Sequence, residues 1–321
     1  MTLSVGQVQA LTVKGIEAAG GVRDSIFKNH AYLSRLKAKE GVYSGEKLTF
    51  PFNYVDDTGA NGGYYSGGGE LSLDLYDPFT ELSFDLVELQ STLVITHRDL
   101  ARNSGKEARL KLVAERLKFL ESSMRQLLTK GIFSDGTAST GALDTNQFDG
   151  LQSFMLNSGV NYGSVLSSDV STHVAYVASN SGTNRAITTA LHQEVLGGAS
   201  EGNIKPSLVI MRQGVMNNLI ELLKPHQRTT RDSNLNGLGH EGNVLVYSGI
   251  DHIVDNLCEA NSLNFINEDF VRLYSHPEYN MKRASWANLE NTDAIMERLF
   301  WKGVFACSVL RYQGKLDDIT G

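Results

Sequence analysis

Residues 104–130, SGKEARLKLVAERLKFLESSMRQLLTK, set the frame for reading this 321-residue chain. Leu110, Val113, Leu117, Leu120, Met124 and Leu127 recur at three-and-four spacing, which puts them on one stripe of an α-helix. Ser104, with Glu107 three residues on, has the form of a capping box, and Gly131 stands where a C′ residue belongs. At about 1.5 Å per residue such a helix runs on the order of 40 Å. Leu112 and Phe119 sit nearly opposite the stripe, so a second surface of the helix is expected to be covered as well.

Upstream, the period changes from helix to strand. From Lys47 to Tyr54 the apolar residues Leu48, Phe50, Phe52 and Tyr54 alternate, and Leu71, Leu73 and Leu75 alternate again. These predict the two arms of a hairpin. Its connection, DDTGANGGYYSGGGE over residues 56–70, holds Gly59, Gly62, Gly63, Gly67, Gly68 and Gly69 together with Asn61, Tyr64 and Tyr65, and is far too long for a tight turn. Pro51 marks its strand as an edge, and Ser72, Asp74, Ser83 and Asp85 make the return polar on one face. A two-stranded ribbon of this kind is marginal until it lies on another surface. Before it, Val8 to about Leu36 reads as a moderately helical arm without a strong apolar stripe, broken at Gly20-Gly21.

Downstream, residues 134–182 read as loops with short strands, and then the pattern turns α/β. Thr183 is placed to cap a helix carrying Ile187, Leu191 and Val195, followed by the strand SLVIM (207–211) and a helix over 213–224 that stops at Pro225. NVLVYSG (243–249), DHIVD (251–255), Asn264 to Tyr274 and Ile295 to Tyr312 are β-rich. Strands at both ends around an α/β middle imply that distant segments pair.

At 41% hydrophobic and 20% charged residues, this is the composition of a chain that buries a sizeable core. No apolar run reaches the roughly 18 residues of a membrane span, and MTLSVGQVQALTVKGIEAAGG has no secretory apolar region, so neither export nor anchoring is expected. The net charge of −7 is unevenly spread: residues 1–40 are net +3, 41–96 are −8, 97–130 are +5 and 131–321 are −7. Cys258 and Cys307 stand alone, as buried reduced thiols would.

Motifs that suggest catalysis fail on their context. HRDLARN (97–103) is one residue short of a protein-kinase catalytic loop and lacks the companion motifs, so it reads as the start of a helix. GLGHEG (237–242) satisfies GxGxxG but precedes a strand where a dinucleotide site needs a helix. Gly105-Lys106 lacks the rest of a phosphate loop, and His240-Glu241 meets Val244 where a second zinc ligand is required. No catalytic residue, metal ligand or cofactor is expected. Lys111, Lys118 and Arg125 fall on the polar face of the long helix; with the basic N-terminal arm they form a candidate surface for sequence-independent contact with phosphates.

In this order the parts resemble the tailed-bacteriophage major capsid proteins. The resemblance runs through residues 99–137 (DLARNSGKEARLKLVAERLKFLESSMRQLLTKGIFSDGT), FDGLQSFM (148–155), SLVIMRQGVMNNLIELLK (207–224), GIDHIVDNLCEANSLNFINEDFVRLYSHPEYNM (249–281) and ERLFWKGVFACSVLRYQGKLDDI (297–319). It implies an α+β chain with the Johnson fold: an N-terminal arm (1–42), an extended loop (43–88), a periphery domain (89–149 and 256–321) with its spine helix (104–130), and an α/β axial domain (150–255). It further implies self-assembly into hexamers and pentamers around double-stranded DNA, assembly in the host cytoplasm, and a portal protein as partner. Scaffolding and decoration proteins are candidate partners; a membrane is not. In the family the extended loop lies over a neighbouring subunit, which gives the glycine-tipped ribbon the surface it lacks. An encapsulin-type compartment shell of the same fold family and a soluble α/β enzyme built on residues 183–255 are the competing readings.

Overall fold

The computed structural model describes residues 30–53, 67–68, 79–102, 106–136, 147–223, 245–290 and 292–321. It begins with helix α1 (Ala31–Ala38) and the short strand β1 (Gly41–Val42). The ribbon strands β2 (Lys47–Asn53) and β3 (Phe79–Asp85), then β4 (Val87–Thr96), α2 (His97–Arg102) and the long helix α3 (Lys106–Ile132) follow. A loop-rich passage carries α4 (Leu151–Phe154), β5 (Asn161–Tyr162), β6 (Val165–Leu166) and β7 (Tyr176–Ala178). Next come α5 (Thr189–Gly198), β8 (Leu208–Met211), α6 (Gln213–Leu223), β9 (Leu245–Tyr247) and β10 (Ile250–Val254). The chain closes with β11 (Leu263–Ile266), β12 (Val271–Ser275), β13 (Lys282–Arg283), β14 (Ala287–Asn288), β15 (Ala294–Cys307) and β16 (Gly314–Leu316).

Two mixed sheets organise these elements. In the first, β15 is central: β4 pairs antiparallel with it from Ala294↔Thr96 to Gly303↔Val87, and β14, β13 and β12 line other stretches of it. β1 adds in parallel outside β12. The inward residues of β4 and β15, among them Leu93, Ile95, Leu299 and Trp301, meet the buried stripe of α3, and all belong to one core. The second sheet has the order β7-β16-β11-β8-β10-β9, and Val195 of α5 and Val215, Met216 and Leu219 of α6 share its core with Phe265 and Ile319.

Several expectations are corrected. The buried stripe of α3 runs Val113, Leu117, Leu120, Met124, Leu128, Ile132, with Leu127 left 38% exposed, because the step after Met124 is four residues and not three. Gly131 does not end the helix. It lies inside it, where a Cβ would come 2.7 Å from the Phe148 ring, so its role is close approach. The cap of α5 is Thr188, whose hydroxyl accepts from Leu191 N at 3.2 Å; Thr183 instead donates its backbone N–H to the Asn180 carbonyl in a turn. Residues 31–38 are not arm-like: Tyr32, Leu33 and Leu36 are buried, and the Tyr32 ring packs at a tilt against Phe133, just beyond the end of α3, with centroids 5.9 Å apart. Nor does the second sheet stop at residue 255, since β11 and β16 are two of its inner strands. Conversely, α4 and β5 pack into the first core, where Phe154 and Tyr162 lie 5.0 Å apart and the Tyr162 hydroxyl accepts from Cys307 N at 2.9 Å. The expected cap Ser104, the return strand at Leu71–Leu75 and the GLGHEG stretch lie outside the described residues.

Alanine in place of glycine inside a helix ordinarily stabilises by up to about 1 kcal/mol. At Gly131 the contact with Phe148 reverses the sign, and Gly131→Ala is expected to destabilise by about 1–3 kcal/mol in denaturant unfolding.

Candidate assembly surfaces

The ribbon has one buried and one open face. Pairing in the register Lys47↔Asp85 to Asn53↔Phe79 puts Leu48, Leu82 and Phe84 on the inner face, where all three are buried. Phe50 lies 5.7 Å from Tyr274, Phe52 5.3 Å from His173, and Phe84 4.9 Å from Tyr162, so the root of the ribbon rests on its own body rather than awaiting a neighbour. Ser83 N donates to the Gly163 carbonyl at 2.9 Å, at a residue with φ of 61° whose Cβ would meet Phe84 at 2.8 Å; only glycine fits there. On the open face Thr49, Pro51, Asn53, Phe79 and Glu81 are exposed. Of the predicted tip residues, Gly67 and Gly68 form an exposed turn with φ of 97° at Gly68, whereas Gly59, Asn61, Gly62, Gly63, Tyr64, Tyr65 and Gly69 lie outside the described residues. Beside the ribbon root a groove of ≈ 640 Å³ runs between Ser83, Asp85, Phe148, Asp149, Asn161 and Ser164. Burial pushes the Asp149 carboxyl above the usual range.

The long helix presents a second surface. Arg116, Lys118, Gln126 and Lys130 are exposed, and Phe119 stands among them at 69% exposure. The side chain of Lys111 is not among those described. Arg125, expected beside Lys118 on the polar face, is only 9% exposed. It sits between Met124 and Leu128 of the buried stripe, where a long side chain can bury its aliphatic stem. Desolvation lowers the pKa of its guanidinium, with Glu121 acting in the opposite direction. The expected basic stripe is therefore not presented as one exposed row.

Sequence reading missed a third cluster, where α1 is pinned between the sheets. Arg35 pairs with Asp251 of β10 and lies 3.6 Å from Glu268, His30 Nδ1 is 3.7 Å from Asp255, and Lys39 bonds Asp269 at 3.0 Å. Nothing in a short basic helix signals which distant carboxylates it will meet; only burial of Tyr32, Leu33 and Leu36 at helical spacing was detectable in principle.

Asp99 of HRDLARN donates its backbone N–H to Thr96 Oγ1 at 3.2 Å at the start of α2, the helix start predicted for that motif. Burial pushes both thiols up to about 12, which leaves Cys258 and Cys307 unionised at neutral pH. Among the described residues no group of three or more His, Cys, Asp or Glu is placed to hold a metal ion, and no helix is long and apolar enough to cross a membrane. Both thiols are expected to stay unmodified by a water-soluble disulfide reagent in the native protein and to react once it is unfolded.

No protein-family model matches the chain, and no curated protein matches it by sequence. Solved structures do. The capsid asymmetric unit of cyanophage A-1(L) superposes with a TM-score of 0.72 at 12% identity, over 91% of this chain and 93% of that one. The capsid of a native GTA particle gives 0.56 at 12% identity over 89% and 90%, and the holo-SrpI encapsulin complex from Synechococcus elongatus PCC 7942 gives 0.55 at 10% over 89% and 87%. The fold is that of these shell proteins, the Johnson fold, across nearly the whole chain.

Proposed function

We propose that this chain is the major capsid protein of a tailed phage, forming the hexamers and pentamers of an icosahedral head around double-stranded DNA. The observation that carries this reading is the end-to-end match to the cyanophage capsid chain, which covers more than nine-tenths of both chains. In this reading residues 43–88 are the extended loop, whose open face and glycine-rich tip meet a neighbouring subunit, α3 is the spine, and the second sheet with α5 and α6 is the axial domain. Repeated heterologous contacts of this kind close into rings and shells. No cofactor takes part, and the partners are other copies of the chain, a portal protein, and candidate scaffolding and decoration proteins. Assembly takes place in the host cytoplasm and the product is the virion capsid.

The second reading is an encapsulin-type compartment, supported by the match to the Synechococcus encapsulin. The higher TM-score of the cyanophage capsid favours the phage assignment. Contents distinguish the two: nuclease-protected DNA in particles from the native source supports the phage head, and a protein cargo without DNA supports the compartment. A soluble enzyme on residues 183–255 is disfavoured because the sheet there needs β7, β11 and β16 from outside that range.

Lys118, with Lys111, is proposed to face packaged phosphates without reading bases. Arg125 is left out of that set, since a carboxylate introduced at a buried position would test folding and not DNA. Deleting residues 59–69 should abolish shells while the subunit unfolds at an unchanged denaturant midpoint; normal particles from the deletion would remove the loop from the interface. Lys111→Glu with Lys118→Glu should form empty shells at the normal yield yet lose packaged DNA in an infection, and retention at the wild-type level would return both lysines to a solvated helix face.

A further inference from the structure

His192 of α5 and His252 of β10 are fully buried, with their Nε2 atoms 3.0 Å apart and ring centroids 5.2 Å apart. The surroundings settle which nitrogens carry protons. His252 Nδ1 lies 3.0 Å from the Ile250 carbonyl oxygen, which only accepts, so Nδ1 is protonated and Nε2 is a bare lone pair. His192 Nε2 must therefore donate to His252 Nε2. This leaves His192 Nδ1 unprotonated, and that atom is buried without a hydrogen-bond partner.

The cage around the pair is largely aromatic and apolar. Tyr247 of β9 and Phe265 of β11 meet His192 edge-on, each at 4.9 Å. The charged neighbours are engaged elsewhere: Asp251 and Glu268 by Arg35, Asp255 by His30 at 3.7 Å, and Glu194 by the Tyr176 hydroxyl at 3.3 Å. Successive side chains of a strand alternate in direction. β10 is thus held on one face by the ion pair from α1 and on the other by an imidazole pair from α5.

We propose that the His192–His252 pair is an acid-sensitive lock that fastens α5 to the second sheet. A proton added to His252 Nε2 sets two N–H groups against each other, and one added to His192 Nδ1 puts a cation in a cage with no carboxylate assigned to it. The first event breaks the imidazole hydrogen bond between α5 and β10, and the second leaves that bond in place but buries an uncompensated charge beside it. α5 also seats Val195 against Gly314 of β16, so releasing the pair loosens a sheet that carries the closing segment of the chain.

The direction of the pH effect follows from burial, which together with the neighbouring His252 lowers His192 to about 3, and lowers His252 to about 4. Both values lie below the ordinary 6.5, so the unfolded chain binds more protons than the folded one between them. The stability held by the neutral pair is complete above pH 6.5 and drains as the pH falls through 6.5 toward 4 and 3. Each histidine then lowers the folding constant by up to about tenfold per pH unit. This holds for the subunit and does not rest on the shell reading.

The test is nitrogen NMR on the full chain labelled at histidine, with thermal unfolding followed from pH 8 to pH 4.5. Expected are a proton on Nε2 of His192 and on Nδ1 of His252, no titration of either ring above pH 5, and a steep loss of stability below pH 6.5. His192→Gln keeps a donor toward His252 and removes one titrating ring. It should flatten the pH dependence of the unfolding constant by about tenfold per unit. A midpoint near 6 for either ring in the folded protein, the opposite tautomers, or an unchanged slope in His192→Gln would overturn the proposal. Should that variant not fold, the titration of the unmodified protein decides alone.

Discussion

Ten residues of β4 paired with ten of β15 join Val87–Thr96 to Ala294–Gly303 across most of the sequence, and the rest of the architecture hangs from that pairing. It creates a surface for α3, whose buried stripe from Val113 to Ile132 shares its core. It also aims the ribbon, because Asp85 of β3 and Val87 of β4 are separated only by Leu86, whose N–H donates to the Glu46 carbonyl at 3.3 Å. Ribbon, sheet and helix are therefore one mechanical unit. A closure between such distant segments is entropically expensive and is repaid only when the whole apolar interface forms.

What could be read in advance followed from local periodicity. The helix over Lys106–Ile132, the β2 strand, β8, α6 and β10 all lie close to where spacing alone put them, because each has one buried face of helical or strand period. The failures share a cause as well. Thr183 and Thr188 are equivalent to any local capping rule, and the choice was made by Asp318, whose carboxylate accepts from Asn180 N and Gly182 N and holds the earlier residues in a turn. β11 and β16 could not be assigned to the second sheet because sheet membership is a non-local property. Arg125 looked polar by position, while its burial depends on what lies across from α3. Of the candidate surface, the open face of the ribbon was legible; the α1 ion pairs and the imidazole pair were not, since each joins residues far apart in sequence.

Stability and function place different demands on the two faces of the ribbon. Its inner face is anchored on Tyr162, His173 and Tyr274 of the same chain, which fixes the direction in which the strands leave the body. On its outer face Phe79 and Pro51 are exposed, as is Phe119 on α3, an apolar group in a polar setting. Exposed apolar groups on the ribbon and on α3, together with a fold shared end to end with capsid chains, are what support the proposed role of shell subunit.

In the proposed role this chain closes on copies of itself, which electron microscopy of the purified protein, concentrated under assembly conditions, makes visible. Hollow, closed particles with five- and six-fold clusters on their surface are expected. A chain that remains a compact monomer under every such condition would contradict that role.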